Sequence, residues 1–431
     1  MLRFFHSNSK ALPKKLLIHP ICSTLLNDKD FEETISEFKQ YLPNELIKID
    51  AKNQQKTNAF FLATGGTESQ LMDLISKWSL QNSPIFVFTN SYRNSLPAGL
   101  ELKTRLNQEG QKSEIIHIPY DTRPGEYSNE LKNKLDWIPT CNEIKSKVFR
   151  VGVFGKPSDW LLADLNILTD KYLLDNYNLQ IENIPISSVI KGMGNRNISP
   201  REFKSFKNEF ADRFGIKQDL IPNRELDQAL KIYLSLKNLV NDYQLDGITV
   251  RCFDLLGSVH STSCLAFAQL NAEGIVSACE GDIECLYTML INKYLGNVPN
   301  TFMANVQDID VKKNTLALAH CTLPFGFSQS GSLNTHFESG IGVAVQTDIP
   351  RNIDCTISRF NLQNNSLLSE HGKTIDHTHV NHWCRSQMRI KFNPNQFLVK
   401  KLFEHPFANH KIVANSNIAQ KLKFFHNLWL K

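Results

Sequence analysis

Residues 274–296 read GIVSACEGDIECLYTMLINKYLG, and this stretch sets the expected fold. Its first six residues are mostly apolar, as in a buried β-strand, and the residues from Ile283 onward have the apolar spacing of a helix. In the turn between them, Glu280 and Asp282 flank Gly281. A strand, a turn and a helix in this order predict a parallel β-sheet covered by helices, because parallel strands need a crossover connection.

The same alternation of strand and helix patterns runs through roughly the first three quarters of the chain. Amphipathic stretches such as GTESQLMDLISKWSL (66–80) predict the helices between the strands. The predicted strands are KLLIHPI (15–21), NAFFLAT (58–64), PIFVFT (84–89), EIIHI (114–118), VFRVGVF (148–154) and GITVRC (247–252). Two further runs, TFMAN (301–305) and TLALAHC (315–321), are predicted to close the parallel series.

The pattern changes after about residue 325, where helical spacing fades. The runs that predict strands of an antiparallel or barrel-like domain are IGVAVQTDI (341–349), CTISRFNL (355–362), QMRIKF (387–392) and HKIVAN (410–415). A terminal amphipathic helix is predicted for IAQKLKFFHNLWL (418–430). We therefore expect an N-terminal α/β domain over 1–145, a central α/β domain over 146–325 and a C-terminal β-rich domain over 326–431.

Charge and hydropathy argue against two classes of partner. The chain has 431 residues and a formal net charge of +5, and its basic residues are dispersed among acidic ones. Without a basic block, nucleic-acid binding is not expected. The sequence also has no run of about 18 apolar residues, so no transmembrane helix is expected.

Cysteine usage and the N-terminus favour a cytoplasmic protein. The nine cysteines have no regular spacing, and five of them lie in apolar stretches, which predicts buried, reduced thiols: Cys252, Cys264, Cys279, Cys285 and Cys321. The first 20 residues are basic and are compatible with a weak targeting segment. They lack the apolar core and cleavage site of a secretory signal, so the first strand is favoured there.

Glu280 and Asp282 follow a strand directly, at the edge where α/β sheets bind ligands. In a locally extended turn, residues i and i+2 point the same way, and Gly281 allows a ligand to approach the backbone. This arrangement suits a metal ion or a polyol. The structural alternative is that Asp282 caps the following helix and that Glu280 interacts with its dipole.

Two further strand ends carry possible ligands. Asn305 and Asp308 follow the strand beginning TFM, and His320 ends the strand TLALAH. If the strands are neighbours, these side chains lie beside Glu280. A mixed set of oxygen and nitrogen ligands suits Mn²⁺, Mg²⁺ or a similar divalent ion better than a sulfur-loving one.

Four segments together resemble the L-fucose isomerase and L-arabinose isomerase superfamily, most closely its fucose-isomerase-like branch. They are ITVRCFDLL (248–256), NAEGIVSACEGDIECLYTMLI (271–291), PNTFMANVQDID (299–310) and LALAHCTLPFGF (316–327). GKPSDWL (155–161), HFESGIGVAV (336–345) and CRSQMRI (384–390) fit the same pattern, so the resemblance covers roughly residues 145–415. It implies two Rossmann-like, doubly wound α/β domains followed by a β-barrel domain.

The resemblance also implies an activity. Such enzymes interconvert aldoses and ketoses through an enediolate and use a divalent metal, usually Mn²⁺. The chemistry needs a carboxylate that moves a proton between adjacent carbons, and a cation that stabilises the charge on the sugar oxygens. The expected function is therefore a metal-dependent sugar isomerase. The alternative is a sugar-binding relative without turnover.

Individual residues can be assigned from the resemblance. Glu280 matches a metal ligand and acid/base in a GEGD-like turn, and His320 and His410 match metal-binding histidines. The second carboxylate is expected just after Phe302-Met303, where this chain has Ala304 and Asn305. An asparagine can ligate a metal but cannot act as a base. Asp282 and Asp308 are the candidates to replace it in catalysis, and Asp308 is also a candidate ligand.

The remaining assignments concern substrate and assembly. Asn305 and the GKPSDW residues Lys156, Ser158 and Trp160 are candidate substrate contacts, although core packing is the alternative for Trp160. Arg385 either contacts substrate or pairs with a surface acid. The resemblance further implies a homo-oligomer, a trimer or a hexamer.

Two other motifs each have two possible interpretations. DHTHVNHWC (376–384) contains His377, His379, His382 and Cys384, a spacing that suits a metal site in an extended strand. A polar loop is the favoured interpretation. ATGGTE (63–68) is interpreted as a tight strand-to-helix turn, with anion binding at the helix start as the alternative.

Overall fold

The computed structural model describes residues 14–50, 55–162, 169–194, 201, 203–205, 207–208, 221–327, 332–347, 349–375 and 379–430. These residues form two compact units. One comprises the described residues of 8–145 together with 427–430, and the other comprises those of 146–426. Every candidate site residue belongs to the second unit.

The first unit is built on a five-stranded parallel sheet with the order β2-β1-β3-β4-β5. Its strands are β1 Leu16–Ile21, β2 Ile47–Ile49, β3 Ala59–Leu62, β4 Ile85–Asn90 and β5 Ser113–Ile118. Its helices are α1 Asp28–Lys39, α2 Glu68–Lys77, α3 Ser95–Gln108 and α4 Asn129–Ser146. All residues of β3 and β4 are buried, as continuous apolar runs in a parallel sheet require. The strands predicted in this part of the chain are confirmed.

The second unit begins with a four-stranded parallel sheet of order β7-β6-β8-β9. Its strands are β6 Phe149–Phe154, β7 Leu179–Ile184, β8 Gly247–Val250 and β9 Val276–Cys279. Its helices are α5 Asp170–Tyr177, α6 Ile186–Met193, α7 Asn223–Asp242, α8 Asp254–Val259, α9 Cys264–Ala272 and α10 Ile283–Gly296. Helix α9 is largely apolar and buried on all sides except at its last residue, so it lies inside the unit rather than on its surface.

A closed antiparallel barrel completes the second unit, with the order β10-β11-β16-β15-β14-β17. Its strands are β10 Thr301–Asp310, β11 Thr315–His320, β14 Asp354–Asn361, β15 Ser366–Ile375, β16 Ser386–Phe392 and β17 His410–Ala414. Between β11 and β14 in the sequence, β12 Ser332–Asn334 and β13 Ala344–Gln346 form a separate antiparallel hairpin. The remaining helices are α11 Lys401–Glu404 and α12 Ala419–Phe425, and a π-helical turn follows at His426–Leu430. The mixed α/β fold with a C-terminal barrel is confirmed.

One strand assignment was wrong. TFMAN and TLALAHC do not close the parallel series, because they lie in β10 and β11 and pair antiparallel in the barrel. The reason is visible in the connection, since only residues 311–314 separate the two strands. A parallel pair needs a crossover of about a dozen residues or more, so a four-residue link dictates a hairpin.

No helix among the residues that the structure describes combines the length and the apolar character needed to cross a membrane.

A buried cluster of charges ties the parallel-sheet part of the second unit to its barrel. Arg359 on β14 is 1% exposed, and its guanidinium donates to Asp282 Oδ2 at 2.9 Å and to Glu284 Oε2 at 3.0 Å. Both carboxylates belong to the start of α10, where Asp282 is the N-cap and accepts from the Cys285 amide at 2.7 Å. Glu284 also accepts from the Leu362 amide at 2.7 Å.

The two carboxylates respond differently to this environment. Burial by itself raises the pKa of Asp282, but the positive charge of Arg359 and the hydrogen bond from His410 outweigh burial and hold that pKa below its ordinary value. For Glu284, burial prevails over the Arg359 charge, and the pKa is raised. Asp282 is therefore the carboxylate whose negative charge is secured by Arg359.

We predict that replacing Arg359 with methionine destabilises the protein by about 3–5 kcal/mol, because it leaves buried carboxylates without their cation. Urea unfolding of the two proteins measures the difference. Arg389→Met is the matched control, because Arg389 pairs with the exposed Asp308 at 3.3 Å. The control should cost about 1 kcal/mol or less. Equal losses in the two variants would show that the buried cluster does not hold the unit together.

Candidate active site

Antiparallel register brings three predicted residues to one end of the barrel. In β10, Asn305 lies opposite Ala319 of β11 on one side and opposite His410 of β17 on the other. His320 follows Ala319 directly, so the barrel edge carries both histidines. Their ring centroids are 5.8 Å apart.

The turn after β9 meets this edge of the barrel. Glu280 Oε2 lies 3.8 Å from His410 Nε2. Glu280 has φ +63° and Gly281 has φ +77°, so two successive left-handed residues turn the chain sharply between β9 and α10. Glu280 is in a conformation that residues other than glycine rarely adopt, and such strain is found most often at functional sites.

Gly281 is required by a close approach of two backbones. A Cβ atom at this position would lie 2.7 Å from Lys156 O and from Pro157 Cα. The GKPSDW loop is therefore packed directly onto the turn, where the Ser158 amide donates to Glu280 O at 2.9 Å. Trp160 Nε1 donates to Glu280 Oε2 at 2.6 Å and fixes the orientation of the carboxylate.

His410 is oriented by Asp282. Its Nδ1 lies 2.9 Å from Asp282 Oδ2, and an ionised carboxylate only accepts hydrogen bonds, so the proton is assigned to Nδ1. Its Nε2 faces Glu280 Oε2 at 3.8 Å. Nε2 is buried and has no hydrogen-bond partner among the described residues. A carboxylate that holds a histidine with its other nitrogen free is the usual arrangement behind a metal ligand.

His320 is neutral in this environment. Burial, and then the neighbouring His410 and His336, lower its pKa well below the ordinary value. Its Nδ1 lies 2.9 Å from Thr322 Oγ1, which fixes the ring. A neutral imidazole is the form that binds a cation.

Glu280 and His320 line a partly open cavity whose enclosed volume is about 20 Å³, enough for a water molecule or a metal ion. The residues that line it are Cys252, Phe253, Thr262, Cys264, Cys279, Glu280, Asn305, His320, Cys321, His336, Glu338 and Cys384. Its wall combines two carboxylates, two imidazoles and five thiols.

The donor set fits a divalent cation. Ligand atoms of Cys279, Glu280 and His320 all lie within 4.8 Å of one another, and the free Nε2 of His410 faces the same carboxylate. Asp282, Cys285 and His410 also form a close group, but Asp282 is already bound to Arg359 and the helix start. The thiol of Cys279 departs from the oxygen-and-nitrogen set expected from the sequence, and it extends the range of suitable ions toward Zn²⁺.

Asp282 and Asp308, the predicted second carboxylates, lie outside the cavity wall. Asp282 is buried behind His410, where it holds the ring. Asp308 is exposed and pairs with Arg389. Asn305 does line the cavity, and its side-chain oxygen accepts from Asn409 at 2.9 Å.

The predicted substrate contacts occupy different positions. Lys156 is exposed and lies 3.2 Å from Asp159, whereas Ser158 is fully buried. Trp160 is half exposed and packs edge-on against Phe253 of the cavity wall at 5.1 Å. Arg385 donates to Thr335 O at 2.8 Å and is not part of the wall.

In DHTHVNHWC, His377 lies outside the described residues. His379 and His382 are exposed, whereas Cys384 is buried in the cavity wall. Those three residues therefore do not gather at one place. In ATGGTE, the turn interpretation agrees with the structure, since Glu68 starts α2 directly after β3 and this turn.

Sequence analysis missed several residues of the site. His336 and Glu338 lie in HFESGIG (336–342), where a histidine and a glutamate precede two glycines. This pattern is a recognisable signal of a functional loop. Burial and the charge of Arg385 lower the pKa of His336 to about 4. Burial and then Glu280 raise the pKa of Glu338. Arg359 was visible as a lone charge within the predicted strand CTISRFNL.

Comparison with known proteins yields partial matches. No protein-family model matches the chain. Sulfoquinovose isomerases from Priestia aryabhattai and Priestia megaterium are each 29% identical over 89 residues, which is 20% of this chain and 20% of theirs. The sulfoquinovose isomerase of Clostridium sp. is 28% identical over 101 residues, 23% of this chain and 22% of its own. The chain therefore aligns with about a fifth of the length of these curated relatives, and the shared segment is similar to sugar isomerases.

Proposed function

We propose that this protein is a divalent-metal-dependent aldose–ketose isomerase that acts through an enediolate. The observation that carries the proposal is the meeting of Glu280 and His320 at one small cavity, with the buried Nε2 of His410 3.8 Å from the Glu280 carboxylate. The partial similarity to sulfoquinovose isomerases supports the same reaction class.

The cation would be held by Glu280, His320 and His410, with Cys279 and the amide oxygen of Asn305 as further donors. When bound, a divalent cation stabilises negative charge on adjacent sugar oxygens. The chain's own residues prepare this site. Asp282 fixes the His410 ring, and Trp160 holds the Glu280 carboxylate in place by its 2.6 Å hydrogen bond.

The reaction itself conserves atoms and electrons. A carboxylate removes the proton from C2 and delivers a proton to C1, while a hydroxyl proton moves from O2 to O1. The enediolate step needs no external oxidant or reductant.

The substrate proposed is a sugar of monosaccharide size, and sulfoquinovose is the first to test because the partial relatives are named for it. We further propose a cytoplasmic location, supported by the irregular spacing of the nine cysteines in the sequence, which is unlike a disulfide framework. A trimeric or hexameric assembly, Rossmann-like α/β domains and the domain limits 1–145, 146–325 and 326–431 remain parts of the proposal that rest on the sequence.

A sugar-binding protein without turnover is the second candidate. The observation in its favour is Ala304 and Asn305 after Phe302-Met303, where neither side chain can take up a proton. Under this alternative the cavity would bind a sugar, and the polar groups would serve recognition alone.

Turnover of a panel of aldoses and ketoses, sulfoquinovose included, separates the two candidates. We expect one aldose–ketose pair to be interconverted, activity to disappear after treatment with a chelator, and Mn²⁺ or Zn²⁺ to restore it. Sugar binding by calorimetry with no turnover under any metal would select the binding protein instead.

Glu280→Gln should remove most of the stabilisation that a divalent cation gives, because one anionic ligand is lost. For the parent protein, a cation at one hundred times its dissociation constant should stabilise the fold by about 2.7 kcal/mol. Thermal unfolding with and without Mn²⁺ or Zn²⁺ measures this difference. Glu370→Gln is the matched control, since Glu370 pairs with Lys423 away from the cavity. An unchanged metal response in Glu280→Gln would place the cation elsewhere.

A further inference from the structure

We propose that Glu338 is the second catalytic carboxylate, the base that moves the proton between C2 and C1. This inference rests on the proposed isomerase function and adds a residue to it. It also accounts for the chemistry that Asn305 cannot supply.

The composition of the cavity wall limits the choice of the catalytic base. Its two carboxylates, among the residues that the structure describes, are Glu280 and Glu338. Asp282 is committed to Arg359, His410 and the start of α10, and Asp308 pairs with Arg389 on the surface. Since Glu280 faces both histidines and belongs to the cation site, Glu338 is the carboxylate left for the substrate carbons.

Glu338 is not engaged elsewhere. It is exposed and lines the cavity, and within the described part of the chain no hydrogen bond or ion pair reaches its carboxylate. A carboxylate with no other partner is able to accept a proton from a substrate bound in the cavity.

The loop carrying Glu338 is held by hydrogen bonds within the loop and by one to helix α7. His336 Nδ1 lies 2.9 Å from Ser339 Oγ, and the Gly340 amide donates to His336 O at 2.9 Å. The Gly342 amide donates to Glu225 Oε2 at 2.9 Å. A catalytic base needs this kind of support, because its position relative to the substrate must be held closely.

The proposed step is balanced. Glu338 takes the proton from C2, the C–H electron pair forms the C1–C2 double bond, and the carbonyl π pair moves to O1. In the second half, C1 takes the proton back from Glu338, and the O2 electrons form the new carbonyl as its hydroxyl proton passes to O1. Glu338 ends as it began.

The test compares the parent protein with Glu338→Gln, Glu338→Asp and the control Glu370→Gln in D₂O. The readouts are kcat, KM, deuterium incorporation at C1 or C2, and the thermal shift with Mn²⁺ or Zn²⁺. Glu338→Gln should lower kcat and deuterium exchange together by about 10²–10⁴-fold, the usual contribution of a general base. It should change KM little and keep the metal-induced thermal shift. Glu338→Asp should retain more exchange than Glu338→Gln.

Three outcomes would overturn the inference. Exchange and turnover at the parent rate in Glu338→Gln would remove Glu338 from the chemistry while leaving the isomerase function intact. Loss of the metal-induced shift in both Glu338 variants would assign the residue a structural role. If the parent protein itself neither exchanges nor converts any sugar in the panel, the proposed function fails, and the role of Glu338 fails with it.

Discussion

The burial of Arg359 between Asp282 and Glu284 is the constraint on which the site depends. A lone guanidinium at 1% exposure is strongly unfavourable, so β14 of the barrel must remain against the start of α10. The same contact secures the negative charge of Asp282, which in turn holds His410. The ion pair between Arg359 and Asp282 therefore sets the orientation of His410, a proposed metal ligand. The stability of the unit and the geometry of its site depend on the same contact.

The site is assembled from two kinds of sheet. β9 is parallel and delivers Glu280 at its carboxyl end, where α/β sheets ordinarily bind ligands. β10, β11 and β17 are antiparallel and deliver Asn305, His320 and His410 through their register. The left-handed backbone at Glu280 lies where the two parts meet, and the close approach of the GKPSDW loop to Gly281 explains why two acids there are separated by a residue without a side chain.

Local patterns in the sequence were sufficient for most of the parallel strands, for the barrel strands β14, β16 and β17 and for the turn containing Glu280, but they missed β2, β7 and β15. They did not distinguish β10 and β11 from parallel strands, because burial on both faces gives the same apolar run in either kind of sheet. The spacing of acids along the sequence also does not show which neighbours the fold brings to each of them. Asp282 faces His410 in the interior, whereas Asp308 faces Arg389 at the surface. Glu338 comes to the cavity from a loop between two three-residue strands, and no periodic pattern predicts such a placement.

Anomalous diffraction from crystals of the protein grown with Mn²⁺ or Zn²⁺ is the most direct test of the central claim, that one cation is held where the β9 turn meets the barrel. The account predicts a single strong peak about 2.0–2.3 Å from a Glu280 oxygen and from the ring nitrogens of His320 and His410. The same map would show whether Cys279 completes the coordination. A peak at another place, with the Glu280 carboxylate and His410 Nε2 still facing each other without an ion, would contradict it.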